Sequence, residues 1–593
     1  MVGRMSDRRS IHEPQLKHPG WHYAALGITV LVGLGLRFWQ LDGKPLWLDE
    51  VIAALFALGR QLQDVPLNTA LPLSDLPDLF SYRPQVSCAQ IAATVATQSV
   101  HPPLFFCSLY RWMGWLTPLT DNWVWALRSL PALLGVAMIP AIYWLGRRAV
   151  SPSVGLVSAA LVSVSPFAIY LSQEARHYTL PMLLTTLSLI ALVQLQQDMA
   201  GGRSLSRWAL GSWVSLNWLG LYVHYFFLLI LMAQIVALGG WLVGRSRQTP
   251  GLLRRYAPPL VLAAVVIGVA YLPWVPTLLG HLGRPETDWL EPYKPDWRDR
   301  VAPAYQLVMG WVLMAIALPV ENQPWAIAVP AAVVMLIFGV WMGWRVGCGL
   351  TTQWQQPKAA ASLALMGAVV VTVILEFLGI VYLLNKDVTA VPRYNFVYYP
   401  GMVILLGSGL SAVGRSPFPQ KLHRSPALVA MLLAGILSSA LVVQGVVFQK
   451  GYYPHQVAQD MAFEPETPVM VAVSYQSLQE VALGLSFALE LQQIEQQSAD
   501  ALASPPPAAN IVFIHRRGGF NQVWKDLAKL DHTLPLPLNL WAIASPGMKT
   551  EDYPPNLSLR RPGRRARVAC PIDPDRFNRI GFPYQLFRCG LPE

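Results

Sequence analysis

Apolar runs of membrane-span length alternate with short polar loops from Trp21 to Val447. A helix crossing the hydrocarbon core needs about 20 apolar residues. Eleven runs reach or approach that length: 21–41, 122–145, 153–171, 179–197, 208–223, 226–243, 257–279, 325–344, 360–384, 397–413 and 427–447. Two further apolar runs, 104–118 and 303–319, are read as non-crossing. The first is short and carries Arg111, and if it crossed, Arg147 and Arg148 would face outward, against the rule that basic loops stay in the cytoplasm. If both cross, the total becomes thirteen with the same ends. The predicted fold class is therefore mainly α, a polytopic membrane helix bundle of about eleven spans, and at most thirteen.

The polar residues segregate by loop. Arg4, Arg8, Arg9 and Lys17 precede the first span, and residues 1–20 are read as a cytoplasmic N-terminus. Alternate loops carry Arg147-Arg148, Arg203 with Arg207, Arg245 to Arg255, Arg345 with Lys358, and Arg415, Lys421 and Arg424. The opposite loops hold the acids, histidines and tyrosines. Residues 42–121 form a long first outer loop, in which 50–63 has the spacing of a surface-lying amphipathic helix. The tail, 448–593, then falls outside the cytoplasm. Val469–Ser474 and Ile511–His515 read as strands, Leu478–Gln493 and Gln522–Leu530 as helices, and Pro505-Pro506-Pro507 as a loop. This predicts a small extracytoplasmic α/β domain, read as a structural appendage in preference to a substrate-contacting cap.

Composition agrees. Of 593 residues, 54% are hydrophobic and 13% charged, with a mean hydropathy of +0.39, which excludes an ordinary soluble protein. The net charge of +11 resides in short loops and reads as membrane orientation; no nucleic-acid partner is expected. Five cysteines are too few for a disulfide scaffold, and whether Cys570 and Cys589 pair in the tail is left open. The absence of a phosphate-cradling glycine loop argues against ATP-driven transport.

The candidate chemistry lies on the outer side. Asp49-Glu50 follows the first span, where a carboxylate either takes a proton from an acceptor or caps the following helix. His101, before Pro102-Pro103, is placed to bond a lipid phosphate or to be a plain interfacial histidine. Glu174-Ala175-Arg176-His177-Tyr178 packs an acid, a fixed cation, an imidazole and a phenol into one turn. There Arg176 suits a phosphate, and Glu174 would either hold Arg176 or bind a sugar hydroxyl. His224-Tyr225 and Arg393-Tyr394 repeat the theme. Glu376, an acid inside a span, is costly unless used.

At these residues the chain resembles the family 39 glycosyltransferases, whose GT-C membrane fold is shared by protein mannosyltransferases and aminoarabinose transferases. The motifs are Leu48-Asp49-Glu50, His101-Pro102-Pro103-Leu104, Ser172 through Tyr178, His224-Tyr225 and Pro392-Arg393-Tyr394, in family order over roughly residues 22–447. The resemblance implies transfer of a sugar from a polyprenyl-phosphate donor on the outer face, with inversion at the anomeric carbon. Asp49, with Glu50 beside it, would match the catalytic carboxylate. His101 would contact phosphate, and Arg176 and Tyr178 would lie near the donor with Glu174, His177, His224, Arg393 and Tyr394. No cofactor and no metal is expected beyond the lipid-linked sugar, although a divalent ion is left open. The acceptor is a lipid, a polysaccharide or a protein. A flippase of lipid-linked sugars is the alternative.

Overall fold

The computed structural model describes residues 19–291, 296–412, 426–501, 509–530, 535–544, 548–560 and 567–590. Arg4, Arg8, Arg9, Lys17, Arg415, Lys421, Arg424 and Pro505 to Pro507 lie outside the described residues. Among the described residues, eight helices are long and apolar enough to cross a membrane: Gly20–Phe38, Trp123–Ala149, Thr179–Ala200, Phe227–Ser246, Leu252–Leu282, Trp325–Trp354, Pro357–Leu384 and Pro426–Val443. A bent pair, Pro152–Val164 and Pro166–Ser172, makes a ninth. The last two expected spans are shorter helices, Arg207–Leu221 and Tyr399–Ala412. The chain is an integral membrane protein. The two ambiguous runs form helices of 13 and 17 residues, Leu104–Leu116 and Trp297–Leu313, the first short of a span and the second at the lower end of spanning length.

The bent pair follows from its sequence. Pro166 cannot donate a backbone hydrogen bond, so the helix stops at Val164 and restarts, with Ser165 Oγ accepting from Ala168 N–H. The two pieces meet at 59°. The break frees carbonyls that would otherwise be satisfied within the helix. Arg37, fully buried at the end of the first span, donates to Val162 O (3.0 Å) and Ser163 O (3.2 Å), and also to Ser172 Oγ and Gly33 O. Beyond the break, Pro166–Ser172 carries the chain directly into Gln173–Tyr178. Elsewhere small residues let helices approach closely: a Cβ on Gly146 would lie 2.8 Å from Gly155 Cα.

The amphipathic segment of the first outer loop, expected at 50–63 to lie on the membrane surface, is instead covered by protein. Its helix, Leu48–Ala57, is buried at eight of ten positions, because both sides are covered. Leu104–Leu116 packs on it, and so does the tail helix Leu478–Ala501. A disulfide, Cys88–Cys107, ties the helix Cys88–Gln98 to Leu104–Leu116 and brackets His101; nothing in the cysteine spacing pointed to it.

The tail is an α/β domain. Its strands are β2 (Val469–Tyr475), β3 (Asn510–His515), β4 (Leu538–Ile543), β5 (Asn556–Arg560), β6 (Arg567–Ile580) and β7 (Phe582–Cys589), and a two-residue strand of the first outer loop, β1 (Leu71–Pro72), joins them. The order is β1-β3-β2-β4-β7-β6-β5. β3, β2 and β4 run parallel and the rest antiparallel. The parallel strands are mostly apolar and buried along nearly their whole length, with Ser474, Asn510 and Asn539 as buried polar exceptions. Cys570 and Cys589 pair in a disulfide.

Candidate active site

Asp49 and Glu50 occupy the first turn of Leu48–Ala57, where negative charge faces the positive end of the helix. The cap position is Trp47, so Asp49 is not the helix cap. The two neighbouring acids have different surroundings. Glu50 is fully buried and both its oxygens are engaged. Arg128 grips it at 2.8 Å through Nε and at 2.8 Å through Nη2, and Ala175 N–H donates to it at 2.7 Å. Burial alone would raise the pKa of Glu50, but the Arg128 charge and these bonds hold it below the usual carboxylate range. Arg128 also donates to the carbonyls of Leu41, Lys44 and Pro45. Arg128 thus fastens the first outer loop to the helix Trp123–Ala149, and Glu50 ties that loop in turn to the segment after the broken helix through Ala175 N–H.

Asp49 has no such clamp. Among the described residues no hydrogen bond reaches its carboxylate. Its contacts are Arg176 Nη2 at 3.5 Å and Arg393 Nη2 at 3.9 Å, both looser than the 2.7–2.9 Å of a charge-assisted bond. Arg176 is held from behind by donating to Asp49 O at 3.1 Å. The Nε atoms of both arginines are buried without a partner. Tyr178 lies beneath Arg176, and Tyr394, Trp47 and Trp289 surround Arg393.

Three imidazoles complete the cluster. His177 lies 4.7 Å from His101 and 4.6 Å from His224, centroid to centroid, and neither of its nitrogens has a partner. Burial and then the nearby positive groups, Arg176 among them, push all three far below the ordinary histidine pKa, so the rings are neutral at pH 7. Their nitrogens are close enough to share a metal ion. His224 argues against it: its Nδ1 accepts the Phe226 N–H at 2.9 Å. In a neutral ring that places the proton on Nε2, which then donates and cannot ligate. His101 Nδ1 faces Ser99 Oγ at 3.2 Å. This donor set suits an anion better than a cation.

Glu174 does not hold Arg176. Its partner is Lys450, 2.6 Å away, which also donates to Tyr170 OH and lies 4.1 Å above the Trp47 ring. The fold therefore gathers Asp49, Glu50, His101, Glu174, Arg176, His177, Tyr178, His224, Arg393 and Tyr394 at one end of the bundle. It adds Trp47, Arg128, Tyr170 and Lys450, which the sequence reading passed over. Arg128 was detectable as a charge inside a span; Lys450 carried no local signal. Tyr225 turns away, bonding His281 and Trp274. Glu376 lies in Pro357–Leu384 with Oε2 unpartnered, and no hydrogen bond or ion pair joins it to the cluster.

No family model matches the chain, and no curated protein matches it. Among solved structures it is similar to ArnT from Cupriavidus metallidurans in the apo state, at 12% identity and a TM-score of 0.48 over 93% of this chain and 98% of that one. The same protein bound to undecaprenyl phosphate gives 13% and 0.49 over the same shares. The oligosaccharyltransferase AglB from Archaeoglobus fulgidus, in complex with an inhibitory peptide and a dolichol-phosphate, gives 12% and 0.40 over 80% of this chain and 64% of that one. These neighbours are GT-C glycosyltransferases, the group whose motifs the sequence resembles. With identity and superposition this low, what the chain does rests on its own residues.

Proposed function

We propose that the protein transfers a sugar from a polyprenyl-phosphate donor to an acceptor on the extracytoplasmic face. The observation carrying this reading is the contrast between two adjacent acids. Glu50 is spent on Arg128 and Ala175, whereas Asp49 is unclamped between two guanidiniums whose Nε atoms lack partners. Arg176 and Arg393 would hold the donor phosphate, and His177 and the Nε2–H of His224 would bond its oxygens. The Asp49 carboxylate would take the proton from an acceptor hydroxyl. The acceptor oxygen then bonds to the anomeric carbon from the face opposite the phosphate, and the carbon–oxygen bond to phosphate breaks. Polyprenyl phosphate leaves with one more negative charge, which the two arginines stabilise. Glu50 and Arg128 act on this reading as positioning residues, and no step calls on a metal.

The test is sugar release from a labelled polyprenyl-phosphate sugar in proteoliposomes, wild type beside Asp49→Asn. Turnover in the wild type, reduced at least about a hundredfold in a variant that still binds donor, supports the reading. Equal turnover in the two removes Asp49 from the chemistry. Lipid scrambling without sugar release would replace transfer with transport.

A further inference from the structure

Behind Trp47, on the side of Lys450, is a cavity of about 1000 Å³. It is bounded by the first outer loop at Asp42–Trp47, by the chain leaving the last span at Gln444–Lys450, and by one face of the tail helix Leu478–Ala501. That is the upper end of the roughly 300–1,000 Å³ usual for small-molecule sites, and more than one sugar ring would fill. Trp47 stands between it and the Asp49 site, with Lys450 and Arg393 against its indole at 4.1 and 5.3 Å from the ring centre.

Two features of the wall point to the chemistry of its occupant. The first is unmet hydrogen bonding. Trp47 Nε1, a donor, and Glu174 Oε2, an acceptor, are both buried without partners, and buried polar atoms are ordinarily satisfied. The side-chain amides of Gln444, Gln456, Gln493 and Gln496 also line the cavity; they are exposed, and each can both donate and accept. A group that both donates and accepts, repeated along a chain, matches this set; a hydroxyl is such a group. The second is charge. Arg128 is neutralised by Glu50, Lys450 by Glu174, and His455 faces Glu490 at 3.0 Å. Lys44 donates to an amide and a carbonyl, and burial with the neighbouring Arg128 charge lowers its pKa to about 8. The wall offers no run of unspent cations for a polyanion.

We infer that this cavity is the acceptor site, that it takes a neutral, hydroxyl-rich saccharide chain, and that the tail helix reads it through Gln493 and Gln496. The inference rests on the transferase reading above and narrows its acceptor.

The experiment uses the full-length protein in nanodiscs and saturation-transfer NMR with hexasaccharides of glucose, mannose and arabinofuranose, and with hexagalacturonate as the anionic comparator. Expected is binding of at least one neutral hexasaccharide, weakened about tenfold by Gln493→Ala with Gln496→Ala, and no binding of hexagalacturonate. Both glutamines are exposed on one helix, so the double variant keeps its fold. The inference is overturned if no neutral hexasaccharide binds, if the double variant binds as well as wild type, or if hexagalacturonate is preferred. Donor hydrolysis without acceptor, on the same samples, separates the two levels. Hydrolysis without saccharide binding sinks this acceptor assignment alone, whereas release of no sugar, either to water or to any supplied saccharide, sinks the transferase reading beneath it.

Discussion

At the scale of the residue, the site turns on which polar atoms are already spent. On the proposed reading the two arginines beside Asp49 are not interchangeable with lysine, because a lysine has no fork to share between that carboxylate and a donor phosphate. Arg176→Lys should retain the fold and raise the donor KM about tenfold or more, with Arg393→Ala doing the same, in a steady-state donor titration. The histidines make a second, independent prediction. Their folded pKa values lie well below the unfolded 6.5. The unfolded chain therefore binds more protons below that pH, and the native state loses stability as pH falls through 6.5 towards the folded values. Above 6.5 the contribution is fully present. Denaturation midpoints should drop between pH 7 and pH 5, and His177→Phe should flatten the slope by up to about 1.4 kcal/mol per pH unit. An unchanged slope would remove His177 from that titration. Much of this was legible in the sequence: acids, arginines and histidines at span ends are costly and therefore informative. What was not legible is which acid is free. That depends on Arg128 and on the Ala175 amide, far along the chain, and no local pattern encodes either. Glu174 shows the same limit, since its cation is Lys450 and not the neighbouring Arg176.

At the scale of the element, the broken helix is the device that delivers Gln173–Tyr178. Its bend follows from Ser165-Pro166, and Arg37 satisfies the carbonyls the bend exposes. Arg37→Met should cost on the order of 3 kcal/mol, since Val162 O and Ser163 O would be buried without donors. The variant should also lose donor turnover more steeply than stability accounts for, because the motif would no longer be aimed; comparing denaturant midpoints with activity of the folded fraction checks this. The spans themselves were readable because their period and length are long and redundant. The helix Leu48–Ala57 was misplaced for the opposite reason. Ten residues with one apolar face suit a membrane surface and a protein interior equally, and only the tail helix packed over it decides between them. Of the four strands after residue 537 that were missed, β6 carries Pro571 and Pro574 and β7 carries Pro583, residues that argue against a strand in a sequence reading.

At the scale of the molecule, membrane bundle and tail share one site. Ser486 of the tail helix donates to Leu46 O beside Trp47, and Gln492 donates to Leu73 O. The tail read as an appendage is thus hydrogen-bonded to the loop that bears Asp49. Deleting residues 448–593 should abolish donor turnover even where the spans still insert, because Lys450 and the cover over Leu48–Ala57 go with them; protease mapping of the truncated protein would show whether the first outer loop has become cleavable. The pairing of β1 with β3, Leu71 against Ile511, extends this to biosynthesis. The loop carrying Asp49 is synthesised long before residues 510–515, so its own strand has no partner until that part of the tail has been made. On the proposed reading, a chain that stops short of β3 should be inactive, because the loop bearing Asp49 would lack both the strand that pairs with β1 and the tail helix that covers Leu48–Ala57.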